Sequence, residues 1–200
     1  MSPGETRFIA RCVDKLGFSF RGDETLLDVG CGNGRVSRLL RDRVAQVHAV
    51  DVEASPEWSD QSGLSFRVAD GEQLPFEDGA FDLVHSKDSL HHMDDPARAL
   101  AEYRRVLKPR GTALIIEANR YNPSLFVQMT LVRRHQHFTL RRFREIVSGA
   151  FDDVRFGSFE AHFVPGATRL LGLQNGVEET LERLGFLRPL LSYNYAVAKV

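Results

Sequence analysis

Leu26-Leu27-Asp28-Val29-Gly30-Cys31-Gly32-Asn33-Gly34 sets three glycines at alternating positions, after a short apolar run and before an amphipathic segment. Glycine adopts left-handed backbone and admits a ligand where a Cβ would collide. A plain strand-to-helix turn needs one such residue. Three demand a sharp turn that a ligand can approach closely, with the N–H groups of the next helix pointing at it. The dinucleotide fingerprint needs its third glycine one place later, where Arg35 stands. The loop is therefore not the version that serves hydride transfer.

Around this loop, strand-like and helical patterns alternate. Residues 25–29 read as a buried strand, and Val36, Leu39 and Leu40 follow at helical spacing. A second strand over 46–50 ends at Asp51, and Ser55-Pro56-Glu57 reads as a capped helix start. That helix must be short, because 64–69 already alternates as a third strand. Residues 81–84 form a fourth strand, and Asp95-Pro96 opens a helix that Pro109-Arg110-Gly111 terminates. The most apolar strand, 112–116, ends at Glu117. Beyond it, 123–132 reads as helical, Thr139 caps a helix over 140–147, and strands at 154–159 and 193–199 bracket a helix over 177–184.

This alternation predicts an α/β fold with a doubly wound, mostly parallel sheet and helices on both faces. The 200 residues, 42% of them hydrophobic, suffice for one domain with a sizeable core. In such sheets ligands bind at the carboxyl ends of the strands. That singles out Gly30, Gly32 and Gly34, then Asp51, Asp70, the segment 86–92 and Glu117.

Charge narrows the partners. The 26 basic and 27 acidic residues nearly cancel, so there is no global pull toward nucleic acid or membrane. Two cysteines make no disulfide framework, no apolar run is long enough to span a bilayer, and Met1-Ser2-Pro3-Gly4-Glu5 does not start a signal peptide. A cytoplasmic location is expected. Asp51 closes the second strand, downstream of the glycine loop, where its carboxylate can accept hydrogen bonds from both hydroxyls of a ribose. Helix capping explains Asp51 equally well in isolation; beside the glycine loop, the nucleoside reading prevails.

Six pieces in order then resemble the class I S-adenosylmethionine-dependent methyltransferases, of the small type with little beyond the core fold. They are the glycine loop, Asp51, Ala69-Asp70-Gly71-Glu72-Gln73-Leu74-Pro75-Phe76, Phe81-Asp82-Leu83-Val84, Leu90-His91-His92 and Arg105-Val106-Leu107-Lys108-Pro109-Arg110-Gly111. The resemblance implies a seven-stranded Rossmann-like sheet whose last strand is antiparallel. Residues 1–120 would be the cofactor-binding half of one 1–200 domain, and 121–200 the substrate-side half. S-adenosylmethionine would be the cofactor and S-adenosylhomocysteine the product. Gly30, Cys31, Gly32 and Gly34 would line the methionine part, with Asp28 near its ammonium and the backbone of Ser86 helping. Asp51 and Val52 would hold the ribose side, and Asp70 with Gly71 the adenine.

This sequence departs from the family pattern in places. The stretch from Asp51 to Asp70 is shorter than the family usually has, which cuts the intervening helix to a turn or two and leaves Trp58 to cover the adenine or join the core. Lys87 stands where an apolar residue is common and becomes a substrate-contact candidate. Arg110 replaces the first glycine of the usual Pro-Gly-Gly turn, a change expected to be harmless. The short N-terminal segment suggests an open site, in a monomer or completed in a homodimer.

For the chemistry, His91 follows the fourth strand and Glu117 closes the fifth. If those strands are neighbours, Glu117 can fix the imidazole tautomer and His91 can take a proton from an acceptor hydroxyl. The competing readings are a loop-bonding His91 and a Glu117 paired with Arg120. His92 is expected to turn toward the following helix. The run His91-His92-Met93-Asp94-Asp95 is read as holding no metal, since adjacent loop histidines seldom converge and an Asp is needed as a cap.

From 118 to 144 there is no acidic residue, whereas Arg120, Arg133, Arg134, Arg141, Arg142 and Arg144 occur. An anionic small-molecule acceptor suits this, with Arg120, Arg133 and Arg134 as contacts. A chain with 22 Arg against 4 Lys also uses arginine as its ordinary surface base. The expectation is methyl transfer to a small-molecule hydroxyl. The alternatives are RNA or protein methylation through the arginine-rich segment, and a catalytically silent cofactor-binding partner subunit.

Overall fold

The computed structural model describes residues 3–122, 137–161 and 171–200. The helix expected over 123–132, and Arg133 and Arg134, lie outside them. Five helices are described: α1 (Pro3–Asp14), α2 (Arg35–Arg41), α3 (Pro96–Val106), α4 (Leu140–Ala150) and α5 (Leu171–Arg183). The strands are β1 (Thr25–Val29), β2 (Gln46–Asp51), β3 (Leu64–Val68), β4 (Phe81–Lys87), β5 (Leu107–Ala118), β6 (Asp153–Phe159) and β7 (Tyr193–Lys199). Among the described residues no helix is long and apolar enough to cross a membrane.

The sheet runs β3-β2-β1-β4-β5-β7-β6. Strands β1 to β5 pair in parallel, and β7 is antiparallel to both β5 and β6. The order reverses at β1, flanked by β2 on one side and β4 on the other, so a crevice opens there at the carboxyl ends.

Strand alternation sorts the side chains onto two faces. Leu27, Val29, Val84 and Ile115 pack with Leu100, Tyr103 and Val106 of α3 and Phe143 and Val147 of α4. On the other face Leu26, Val47 and Leu83 meet Val13 of α1 and Leu40 of α2, while Leu114 and Ile116 meet Cys12 of α1 and Leu16 in the turn after it. The helix starts follow their caps. Asp95 accepts from the amides of Ala97 and Arg98 at 3.0 and 3.1 Å, and Thr139 from Arg142 at 3.1 Å.

Three expectations are corrected, and one element is added. Between β2 and β3 there is no helix, only a turn closed by Trp58 N on Ser55 O at 3.0 Å, because the link back to β3 is too short for more. The added element is α1, which packs its apolar face on the sheet, with Glu5 reaching Arg35 beside the glycine turn at 2.7 Å. Salt bridges from Arg11 of α1 to Glu178 and from Lys15, just after it, to Glu182 tie this segment to α5. β5 begins at Leu107, so Pro109-Arg110-Gly111 lies within a strand irregularity opposite the register shift between Phe81 and Leu83. Finally, Arg110 is not a neutral replacement, since it holds φ of 70°, a conformation that strains a residue with a Cβ.

Candidate active site

The crevice at the end of β1 is a cavity of about 530 Å³. Its first wall is the glycine turn. Gly30 has φ of 72°, and a Cβ there would fall inside the Ser89 side chain. Gly34 has φ of 77° and lies so close to the Phe66 ring that no Cβ fits. The turn is therefore left-handed and tightly packed from behind, as its glycine spacing requires.

The end of β2 supplies the second wall. Asp51 Oδ2 accepts from Gly32 N at 2.7 Å, joining the two strand ends, and Val52 beside it is 63% exposed at the cavity edge. The third wall follows β3. Asp70 Oδ1 accepts from Glu72 N at 2.8 Å, and Gly71 sits so close to Met93 and Val29 that a side chain there would displace them. The loop after β4 closes the cavity with Asp88, Ser89, His92, Met93 and Asp94.

Gly30, Gly32, Asp51, Val52, Asp70 and Gly71 thus share one cavity. Asp28, Cys31, Gly34 and Ser86 do not line it. Asp28 is 2% exposed, with one oxygen 2.8 Å from His85 Nδ1 and the other accepting from Ser37 Oγ at 2.6 Å. It braces β1 against β4 and α2. Trp58 is also outside the lining: its ring stacks on Phe66 with centroids 5.3 Å apart, and its Nε1 donates to Gly32 O at 2.7 Å. His92 faces the cavity rather than turning to α3, because the short 3-10 turn Leu90–His92 carries it there.

Five carboxylates line this cavity (Asp51, Asp70, Glu72, Asp88 and Asp94), and no lysine or arginine among the described residues does. A pyrophosphate would be repelled. A ligand with hydroxyls, an amine and positive charge matches the lining. The sequence reading gave no role to Met93 or Glu72 and flagged Ser89 only as part of the segment 86–92; the Gly30–Ser89 contact could not be read without the pairing of β1 with β4.

One step from the cavity, behind His92, lies a second cluster. β4 and β5 are neighbours, as the dyad requires, and His91 Nδ1 lies 2.7 Å from Glu117 Oε2. Glu117 Oε1 accepts from Leu90 N at 2.8 Å, so both its oxygens are engaged with the 3-10 turn rather than with Arg120. Arg120 joins the site through its backbone, whose N–H donates to Phe138 O at 3.4 Å. That link brings in His137, a buried residue whose ring centroid lies 4.2 Å from that of His91, with His92 at 4.0 Å on the same ring.

Burial alone would lower the affinity of His91 for its proton, but the hydrogen bond and charge of Glu117 outweigh it and raise the pKa above 6.5. Burial pushes the Glu117 carboxyl up in turn, against the pull of His91. Both shifts describe one event: the pair retains a shared proton. His91, Glu117 and His137 bring donor atoms within 4.8 Å of one another and are the candidate metal ligands among the described residues. The 2.7 Å separation of Nδ1 and Oε2 is that of a hydrogen bond.

Lys87 is not placed for a substrate. Its side chain is 12% exposed, pairs with Asp88, and lies with Nζ 4.8 Å from the Tyr193 ring centroid and 5.7 Å from that of Phe8. The position that is usually apolar here holds a cation wrapped in aromatic rings under α1.

Residues 27–115 match the family model described as a methyltransferase domain. Tocopherol O-methyltransferase of Arabidopsis thaliana is 36% identical over 102 residues, covering 46% of this chain and 29% of that protein. The glycine/sarcosine/dimethylglycine N-methyltransferase of Actinopolyspora halophila is 34% identical over 122 residues, covering 56% and 21%. The chain therefore spans less than a third of the length of either relative. Among solved structures, an S-adenosylmethionine-dependent methyltransferase of Mesorhizobium loti superposes with a TM-score of 0.66 at 17% identity, covering 96% of this chain and 98% of that one.

Proposed function

We propose that this chain, whose residues 27–115 match the methyltransferase-domain model, is a class I S-adenosylmethionine-dependent methyltransferase that methylates a hydroxyl of a small-molecule acceptor. The cofactor supplies an activated methyl group on a sulfonium. The residues of the chain bind, orient and accept a proton.

Asp51 would receive the ribose hydroxyls, and Asp70 the exocyclic amine of adenine, with its second oxygen oriented by the Asp70–Glu72 turn. The acidic lining favours a ligand that carries positive charge. Holding the acceptor in line with the methyl–sulfur bond removes much of the entropic part of the barrier. Glu117 holds Nδ1 of His91 as a donor, which gives Nε2 the lone pair that a base needs. Proton removal by such a group contributes on the order of 10²–10⁴-fold.

The observation that carries the hydroxyl reading is the 2.7 Å His91–Glu117 pair at the carboxyl ends of β4 and β5. An amine acceptor that enters neutral already has its lone pair and needs no base for the transfer itself. The test is a panel of phenolic, sugar and amine acceptors with radiolabelled cofactor, run on wild type and His91→Ala. Hydroxyl methylation that falls on His91→Ala, with cofactor affinity nearly intact, supports the reading. Transfer to amines alone, or equal turnover by the variant, overturns it.

A further inference from the structure

Tyr103 of α3 is fully buried, does not line the cavity, and has no place in the scheme above. Its hydroxyl nevertheless starts a chain that ends at the cofactor turn. Tyr103 OH donates to Ser86 Oγ at 3.3 Å, Ser86 Oγ lies 2.6 Å from Ser89 Oγ, and Ser89 Oγ donates to Val29 O at 3.2 Å.

The direction of each proton follows from valence. A carbonyl only accepts, so the single proton of Ser89 is spent on Val29. Ser86 must then donate to Ser89, and Tyr103 to Ser86. All three O–H bonds point one way, from α3 to the last peptide of β1. Burial keeps the phenol pKa well above 10, so the chain retains its first donor. Aligned hydrogen bonds in a low-dielectric interior strengthen one another.

The Val29 carbonyl belongs to the same peptide unit as Gly30 N, which donates to Val50 O at 2.9 Å. Fixing that oxygen fixes the peptide plane from which Gly30 departs with φ of 72°. Ser89 also packs against the space a Gly30 side chain would need, so one residue sets both the plane and the closeness of the turn.

We infer that Tyr103 is a positioning residue of the cofactor site, acting through Ser86 and Ser89 on the Val29–Gly30 peptide. The inference rests on the cofactor reading given above. Isothermal titration calorimetry with S-adenosylhomocysteine on wild type, Tyr103→Phe, Ser89→Ala and the double variant tests it, with the thermal midpoint of each protein recorded alongside.

Tyr103→Phe keeps the ring and its packing and should weaken binding about 3- to 10-fold, the usual scale for one hydrogen bond. Ser89→Ala should weaken it at least as much. In the Ser89→Ala background, Tyr103→Phe should add almost nothing, because the chain is already cut. A purely structural role would lower the thermal midpoint and leave the affinity unchanged. Unchanged affinity in Tyr103→Phe, or losses that add in the double variant, overturns the inference. If Tyr103→Phe loses its fold, Ser86→Ala removes the middle link and is read by the same two criteria. Absence of binding by wild type would overturn the cofactor reading and this inference with it.

Discussion

Asp51 at the end of β2 accepts from the amide of Gly32 at 2.7 Å, so the carboxylate that faces the cavity also holds the glycine turn in shape. Two functions in one side chain predict an outsized effect of its loss. Asp51→Ala should reduce affinity for S-adenosylhomocysteine by about 10- to 100-fold, the scale of hydrogen bonds to a charged group. Asp51→Asn, which can still accept from Gly32, should fall between that variant and wild type. Calorimetry on the three proteins checks the order.

The His91–Glu117 pair predicts a titration. Glu117 raises the His91 pKa above 6.5 against the opposing effect of burial. NMR of the imidazole carbons should therefore show the His91 midpoint above 6.5 in wild type. In Glu117→Gln the carboxylate is gone and burial remains, so the midpoint should fall below 6.5. Catalysis by neutral His91 requires pH above the folded pKa, so wild-type turnover should rise with pH through that raised midpoint. A His91 midpoint that is the same in both proteins would detach Glu117 from the proton.

Gly34 predicts a stability effect separate from binding. It combines φ of 77° with a Phe66 ring where a side chain would go. Gly34→Ala should destabilise the protein by about 1–3 kcal/mol, through strain and displacement of the ring. Paired with Phe66→Leu, which clears the ring, the steric part of the loss should shrink and the φ part should persist. Urea denaturation of the single and double variants separates the two.

β1, β2, β3 and β7 are legible in the sequence because their apolar runs end in polar or turn-forming residues that punctuate the chain. The apolar run of β4 stops at Val84, but the strand continues through His85, Ser86 and Lys87. Those polar residues are buried only because Asp28, Tyr103 and the ring pair Phe8 and Tyr193 receive them, and no local pattern announces such partners. α1 escapes a sequence reading for a similar reason: its apolar face is meaningful only against the finished sheet. In the site, Gly30, Asp51 and Asp70 are legible from spacing, because each closes a strand. Asp28 is not, because strand alternation turns it to the α2 face, away from the crevice, where Ser37 holds it. His137 could not be placed beside His91 from the sequence, since it lies well beyond β5 and returns through contacts such as the Arg120–Phe138 backbone hydrogen bond.

Trp58 is the one tryptophan of the chain, and its Nε1 donates to the carbonyl of Gly32 at 2.7 Å while its ring lies on Phe66. Gly32 also holds Asp51 through its amide, so the indole touches a residue proposed to contact the cofactor. Indole emission responds to changes in the hydrogen bond at its nitrogen and in nearby charge. Titration with S-adenosylhomocysteine should therefore change the intrinsic fluorescence of wild type saturably, with the midpoint matching calorimetry. In Asp51→Ala the same change should require about 10- to 100-fold more ligand, following the lost charged hydrogen bonds. Trp58→Phe should be silent in fluorescence yet still bind in the calorimeter, more weakly by the several-fold expected from one missing donor. A ligand that binds by calorimetry without altering wild-type emission would place its site away from the Gly32 turn.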